Sequence, residues 1–297
     1  MSFPDDRHSI PSHSAKRILV AGATGRFGRI AELLLSRGHA VRAASRNPAH
    51  PTAARLAARG AELVHADFED VGSLADAAQG MDAVFASGTA HRAGPASEER
   101  HGKNLADALT WADGQHLVFV SGAGADRPAG LPLLAAKGAV EQRIRDLRLR
   151  ATVLAPVYLM ENLVNPWNRA ALGAGVLPTP IPPTLRLQQV ATQDLLALAV
   201  LALECSDAFA GARIEVASDA PKALAAAAAL SDVLGRQFMA RQLPSEDLPP
   251  GLAALFAWLE RDAPVVDIGA VHGRFPGIAW QDFGGWAWEH WTELAAG

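Results

Sequence analysis

Three glycines, Gly22, Gly25 and Gly28, stand at intervals of three between two contrasting segments. Before them runs Ile18-Leu19-Val20-Ala21, the short apolar stretch of a strand buried on both faces. After them comes an amphipathic stretch carrying Ile30, Leu33, Leu34 and Leu35, the pattern of a helix with one buried face. The first glycine suits a tight turn, the second a close backbone approach to a pyrophosphate, and the third close packing of helix on strand. The helix start near Arg26–Gly28 then offers N–H groups and a partial positive charge to phosphate. Few chains with this strand, turn and helix fold other than as a parallel α/β sheet around a dinucleotide site. Arg26 is a further cation beside the turn.

The segment after the turn narrows the ligand. An acidic residue about 20 positions on, which would hold a bare ribose, is missing. A strand over Ala40–Ala44 ends instead in Ser45-Arg46-Asn47-Pro48. A guanidinium there suits the 2′-phosphate of NADP. The alternative is an arginine that is simply solvated.

Strand and helix patterns alternate through the first half. Strands are expected at Arg17–Ala21, Ala40–Ala44, Glu62–His65, Ala83–Ala86, Leu117–Val120 and Thr152–Ala155. Helices are expected at Arg29–Arg37, Thr52–Ala58, Val71–Gln79, Glu98–Ala112 and Leu133–Leu147. This predicts an α/β fold, a Rossmann-type doubly wound parallel sheet, with a smaller C-terminal α+β lobe. The expected organisation is a flexible tail over 1–15, a nucleotide domain over 16–156 and a substrate lobe over 157–297. Later elements, about 185–217, return to the nucleotide domain. Prolines 178, 180, 182 and 183 predict no regular structure over Gly173–Pro183. A strand over Leu185–Val190, a helix over Thr192–Glu204, a strand over Arg213–Ala217, a helix over Lys222–Leu234 and a strand near Phe238–Gln242 follow. Trp280, Trp286, Trp288 and Trp291 predict an aromatic cluster, for packing or for stacking on an aromatic substrate.

With 297 residues, 49% of them hydrophobic, the chain can bury a large core. A formal net charge of −4 without a basic block gives nucleic acid or an anionic membrane no reason to bind. One cysteine, Cys205, excludes an internal disulfide and gives no metal-ligand spacing. It falls on an apolar helical run, as a buried inert thiol. The first sixteen residues have no apolar core, so no signal peptide is expected, and a cytoplasmic monomer or homodimer is.

Further candidates lie at the strand ends. Asp67 and Phe68 follow the third strand, where a carboxylate can meet the adenine amino group and a ring can lie beside the base; a turn or cap role for Asp67 is the alternative. Ser87, Gly88 and Thr89 follow the fourth, where small residues let a dinucleotide cross the sheet edge. Ser121 ends the fifth, and Lys137 opens KGAVEQRIRDL sixteen residues on. In short-chain dehydrogenases such a serine works with a Tyr-x-x-x-Lys pair, the tyrosine giving a proton and the lysine lowering its pKa and holding the ribose. Here Leu133 occupies the tyrosine position, and the chain's one tyrosine is Tyr158. Lys137 can still hold ribose hydroxyls, or be a solvated helix lysine.

The GATGRFG turn, the Ser45-Arg46-Asn47-Pro48 strand end and the HADFED segment together resemble the NmrA-like branch of the atypical short-chain dehydrogenases. So do KGAVEQRIRDLRLRATVLAPVYLMENL and VATQDLLALAVLAL, in which Asp194 opens a helix. The resemblance covers roughly Arg17 to Gln242 and is specific in combination. It implies a Rossmann domain, a small C-terminal lobe and bound NADP(H). It implies Gly22, Thr24, Gly25, Phe27, Gly28 and Arg46 at the phosphates, and Ser87 and Lys137 at the nicotinamide ribose. Pro156, Val157, Tyr158, Leu159, Glu161 and Asn162 are implied around nicotinamide and substrate. The branch includes quinone oxidoreductases, triphenylmethane dye reductases and proteins that sense NADP without evident turnover. Two functions are therefore expected to compete. One is NADPH-dependent hydride transfer to a conjugated, quinone-like or aromatic small molecule, with Lys137 and Tyr158 as the catalytic candidates. The other is a non-catalytic NADP(H) sensor that binds a protein partner.

Overall fold

A computed structural model describes residues 14–88, 90–112, 115–127, 130–244, 246 and 248–295. Most of the expected tail, residues 1–13, and Thr89 lie outside them. The first half alternates as the hydrophobic pattern requires. Strands β1 (Arg17–Ala21), β2 (Ala40–Ser45), β3 (Glu62–His65), β4 (Ala83–Ser87), β5 (His116–Val120) and β6 (Ala151–Pro156) are separated by helices. These are α1 (Arg29–Ser36), α2 (Pro51–Ala58), α3 (Val71–Ala78), α4 (Ala90–Leu109) and α5 (Pro132–Asp146). Helix α4 starts earlier than expected but is broken: Gly94 has φ 79°, ψ 178°, and Pro95 follows it. Proline disfavours helical backbone at the residue before it, and glycine accepts the positive φ.

The second half holds β7 (Tyr158–Leu159), α6 (Arg169–Gly173), β8 (Val176–Thr179), β9 (Gln189–Val190), α7 (Thr192–Glu204), α8 (Ser206–Phe209), β10 (Arg213–Val216), α9 (Ala223–Leu234) and β11 (Met239–Gln242). Helices α10 (Pro250–Arg261), α11 (Ile268–Arg274), α12 (Phe283–Glu289) and α13 (Trp291–Ala295) complete it.

Seven strands form one sheet in the order β10-β6-β5-β4-β1-β2-β3, and the pairs from β3 to β6 are parallel. The order reverses direction between β1 and β4, the switch point where such sheets bind ligands beyond their C-terminal strand ends. The fold is the doubly wound Rossmann type. The strands are short and continuous in apolar residues, as burial on both faces demands; Ile18, Leu19, Val20, Val84, Phe85 and Val118 are all buried.

The chain divides into two compact units. The first takes the chain up to Ser121, then Ala136–Leu154 and Leu198–Ile214. The last of these segments is tied into the unit by buried Glu204, which meets Arg37 Nε at 2.6 Å and His39 Nε2 at 3.0 Å. The second unit takes Gly122–Ala135, Ala155–Ala197 and Glu215 onward. Its core gathers Met160, Leu172, Leu230, Phe238, Phe283 and Trp286.

Three expectations need correction in the second unit. The proline-rich stretch is not wholly irregular: Val176–Thr179 forms β8 and pairs in parallel with β11, with Pro178 opposite Arg241. A proline fits there because β8 belongs to a two-stranded sheet and has an unpaired edge. The strand expected over Leu185–Val190 shrinks to Gln189–Val190. Of the expected tryptophan cluster, Trp280, Trp286 and Trp288 do not gather as a set, and the side chain of Trp291 lies outside the described ones. Trp286 is fully buried, Trp288 is exposed, and Trp280 stacks on His272 with centroids 4.4 Å apart. Two residues apart on a helix lie on opposite faces, so Trp286 and Trp288 cannot share one surface. Cys205, expected within a helix, follows the end of α7 and is half-buried; burial raises its thiol pKa.

A buried histidine gives the first unit a pH dependence. Thr152 Oγ1 donates to Phe209 O at 2.8 Å, so His116 Nε2, 2.9 Å away, must be the donor to that hydroxyl. The other nitrogen, Nδ1, is buried without a hydrogen-bond partner. Burial, with Arg150 and Lys16 adding positive charge, lowers the His116 pKa to about 4. In the unfolded chain the ring protonates near 6.5. The unfolded state therefore binds more protons between those values, and stability is lost as pH falls through that window. The full effect is on the order of 3 kcal/mol. His116→Leu should shrink the stability difference between pH 7.5 and pH 4.5 by about 2–3 kcal/mol, measured by urea denaturation. Equal slopes in both proteins would remove His116 as the cause.

Candidate functional site

The turn between β1 and α1 is built by its glycines. Gly22 has φ +76°, a left-handed conformation that other residues rarely adopt. Gly25 N donates to Gly22 O at 2.8 Å and Gly28 N to Gly25 O at 3.0 Å, winding the chain into the helix. At Gly28 a Cβ would lie 1.9 Å from the carbonyl oxygen of Ala23. The third glycine is thus required by the approach of the helix start to the turn's own backbone. Gly28 is the N-cap of α1 and brings no side-chain cap, so α1 begins without a side-chain acceptor on its first turn. Thr24 and Phe27 are half-buried in the turn, and Arg26 is exposed.

Ala23 N donates to Ala44 O at 3.1 Å, and Ala21 pairs with Ala44. The turn is therefore stitched to the end of β2, and Arg46 lies two residues beyond that stitch. Local bonds hold the backbone around it. Asn47 N donates to Ser45 Oγ at 3.1 Å and Ala49 N to Asn47 Oδ1 at 3.0 Å. Arg46 itself is exposed.

The end of β3 closes the same place from the other side. The Phe68 ring is 3.7 Å from where a Cβ on Gly22 would stand, and Asn104 Nδ2 pins the Phe68 carbonyl at 2.8 Å. Asp67 Oδ1 accepts from Glu69 N at 3.0 Å, an Asx turn. The cap of α3 is Asp70, which accepts from Gly72 N and Ser73 N. Beside them Glu69 meets Arg100 Nη2 at 2.5 Å and His101 Nε2 at 2.7 Å. Arg100 first, then His101, holds the Glu69 carboxyl down at about 2.

Lys137 is not a solvated helix lysine. Its Nζ lies 2.6 Å from Glu98 Oε1, with Glu98 1% exposed. The Glu98 carboxylate rests against Gly88 just past β4, where a Cβ would fall 1.8 Å from Oε1. Ser87 is half-buried beside it. Ser121 is held in a second buried pair: its Oγ donates to Glu141 Oε1 at 2.5 Å, and Arg213 Nε donates to Glu141 Oε2 at 2.9 Å. Glu98 carries no motif signal, since SEER reads as a solvated helix start. Glu141 stands four residues after Lys137 in the stretch that carries the family resemblance.

In the second unit a solvent-open cleft is lined by Tyr158, Met160, Leu177, Pro180, Gln189 and Phe283, among others. Tyr158 and Gln189 are register partners on β7 and β9. Glu161 and Asn162 do not line it. One oxygen of the Glu161 carboxylate is committed elsewhere in the unit, Oε1 accepting from Thr192 N at 2.8 Å and Trp286 Nε1 at 3.1 Å, while Oε2 is buried without a hydrogen-bond partner. Pro156 is buried, and its carbonyl accepts from Ala123 N. Asp194, at the start of α7, accepts from Ser218 Oγ and Gln281 N, and burial raises its pKa. Among the described residues no cluster of His, Cys, Asp and Glu can hold a metal, and no helix is long and apolar enough to cross a membrane.

Comparison with known proteins agrees with this architecture. An NmrA-like oxidoreductase-domain protein of Aspergillus hancockii is 36% identical over 115 residues, 37% of this chain and 34% of that protein, so the chain matches about a third of that relative's length. An NADPH-dependent quinone oxidoreductase from Escherichia coli, solved with NADPH, shares the fold at a TM-score of 0.77 and 22% identity, over 93% of this chain and 99% of that one. NmrA, a negative transcriptional regulator solved with NADP, does so at 0.76 and 22%, over 95% and 98%. The NmrA-like family pattern itself matches residues 14–256, and the chain therefore belongs to the NmrA-like family.

Proposed function

We propose that this protein is an NADPH-dependent reductase that transfers hydride to a conjugated, quinone-like or aromatic small molecule. The observation that carries this reading is the glycine turn stitched to the end of β2, with exposed Arg46 two residues beyond. The site's residues fit the cofactor. The turn needs its missing side chains at Gly22 and Gly28. Arg46 and Arg26 supply cations for phosphate. Phe68, pinned against the turn, offers a face to adenine. When bound, NADPH supplies a hydride to the acceptor and leaves as NADP⁺, and one proton from Tyr158 or water completes a quinone's reduction to hydroquinone. In such an acceptor the added charge spreads over the π-system, so alignment does most of the catalysis and Leu133 in place of a tyrosine is tolerated.

The test is an acceptor screen. NADPH should be oxidised in the presence of quinones or triarylmethane dyes; binding of NADPH without turnover on a broad panel would defeat the reading. Arg46→Ala should raise the Kd for NADPH by about 10- to 100-fold, the value of one charge-assisted bond, and barely change that for NADH. Equal losses for both would show that Arg46 does not read the 2′-phosphate.

A second reading, an NADP(H) sensor with a protein partner, draws on the engagement of the catalytic candidate Lys137 and the cofactor candidate Ser121 in buried pairs. Lys137 is paired with Glu98 and Ser121 with Glu141. It predicts a partner whose affinity differs between NADP⁺ and NADPH; equal affinity with both and with neither would count against it.

A further inference from the structure

Helix α4 carries two side chains that the reductase reading leaves unused, Arg100 and His101. With Asn104 they are spaced three and four residues apart, so the three share one face of the helix. That face meets the loop after β3. The Arg100 fork takes both oxygens of Glu69, Nε to Oε2 at 2.8 Å and Nη2 to Oε1 at 2.5 Å. His101 Nε2 lies 2.7 Å from the same Oε1. An ionised carboxylate only accepts, so Nε2 carries the proton and donates. The His101 ring in turn stacks on Phe68, with centroids 5.8 Å apart and planes 28° from parallel.

Phe68 is thus held from several directions. Before it, Asp67 N donates to Ser73 Oγ at 3.0 Å, and its own carbonyl accepts from Asn104 Nδ2 at 2.8 Å. Its ring packs partly against the core of the first unit and partly over Gly22. The residue is only half-buried, so part of it stays accessible. An aromatic ring stacks on a base best when it already stands in the bound rotamer, because the cost of ordering it then falls on folding and not on binding.

The Glu69–Arg100 pair adds little to stability. Its side chains are 48% and 51% exposed, and ion pairs so open to water are weak. Its effect is on position. We infer that Glu69, Arg100 and His101 are positioning residues for the adenosine half of NADP(H): acting through Phe68, they hold its ring on the glycine turn as a preformed stacking face for adenine. The inference rests on the reading that puts the cofactor on the glycine turn, and not on the choice of acceptor.

The test is a binding cycle on the full-length protein, by isothermal titration with NADPH and with adenosine 2′,5′-bisphosphate, the half of the cofactor that this clamp serves. Glu69→Ala should raise both Kd values by about tenfold, the scale of one weakened base–aromatic stack. Phe68→Ala should raise them at least as much. The double variant Glu69→Ala/Phe68→Ala should lose no more than Phe68→Ala alone, because residues that act through one ring are not additive. The melting temperature of Glu69→Ala should stay within about 3 °C of the parent. A merely structural role would give losses that multiply in the double variant. Arg100→Gln removes the same fork from the exposed side of α4 and should match Glu69→Ala, which keeps the test open if the latter fails to fold.

Kd values within about twofold of the parent in Glu69→Ala and Arg100→Gln would overturn the inference, as would multiplying losses. A parent protein that binds neither probe would overturn it together with the cofactor site. The two proposals otherwise fail separately. A non-additive cycle in a protein that reduces no acceptor would sink the reductase reading and leave this inference standing. Quinone turnover with NADPH affinity unchanged in Glu69→Ala and Arg100→Gln would do the reverse.

Discussion

Gly28→Ala is expected to abolish detectable NADPH binding and to destabilise the protein by about 3 kcal/mol or more, the scale of a severe overpacking. The added methyl would stand 1.9 Å from Ala23 O and 2.8 Å from Ala23 C. Both are backbone atoms in a turn closed by Gly25 N to Gly22 O and Gly28 N to Gly25 O. No flexible side chain can move aside, so relief requires α1 to shift off β1. That shift would break the Ala23–Ala44 bond which sets the turn against Arg46. Gly273→Ala serves as the control. A Cβ there meets nothing within 4 Å, and the residue lies in α11. Alanine gains there about 0.5–1 kcal/mol of helix propensity over glycine. Thermal denaturation and NADPH titration of both variants check the pair. Near-native NADPH affinity in Gly28→Ala would show that the turn relaxes without cost.

Lys137→Met is expected to cost about 3–5 kcal/mol of stability before any effect on chemistry is considered. It removes the cation from Glu98, which is 1% exposed and wedged against Gly88. The two sides of the pair differ. Lys137 retains some access to solvent, at 15% exposure, and can turn outward when Glu98 is changed. Glu98→Gln should therefore cost less than Lys137→Met. The double variant Glu98→Gln/Lys137→Met should recover much of the single loss, because no uncompensated charge is then buried. Denaturant unfolding of the four proteins closes the cycle. Strict additivity would mean that the two residues are not coupled. The cycle also bears on the reductase reading: a fall in turnover with Lys137→Met reports on cofactor contact only after this stability loss is accounted for.

The Rossmann sheet was legible because its signals are local. Ile18–Ala21, Val84–Ala86 and Leu117–Val120 are continuous apolar runs, each ending in small residues that permit a turn. β1 and β3 fall at their expected bounds. The second unit was harder to read. Gln189–Val190 is too short for a period of two to register. Pro178 sits in a strand because β8 has an unpaired edge, and edges are not visible in a one-dimensional pattern. The four C-terminal helices were missed because Trp, Gly and Pro crowd that region.

The glycine spacing and Arg46 follow from sequence, because each describes what a segment can do with its own backbone or charge. The partners of Lys137 and Ser121 do not. Glu98 lies 39 residues before Lys137, and Glu141 lies 20 after Ser121. Tertiary packing alone brings those carboxylates into the interior, and no local periodicity marks them. Sequence by itself determined a Rossmann fold with an NADP-suited turn. The tertiary structure decided that its serine and lysine sit in buried pairs. Burial converts a charge from a solvated side chain into one that must be matched, and only the folded chain says which charges are buried.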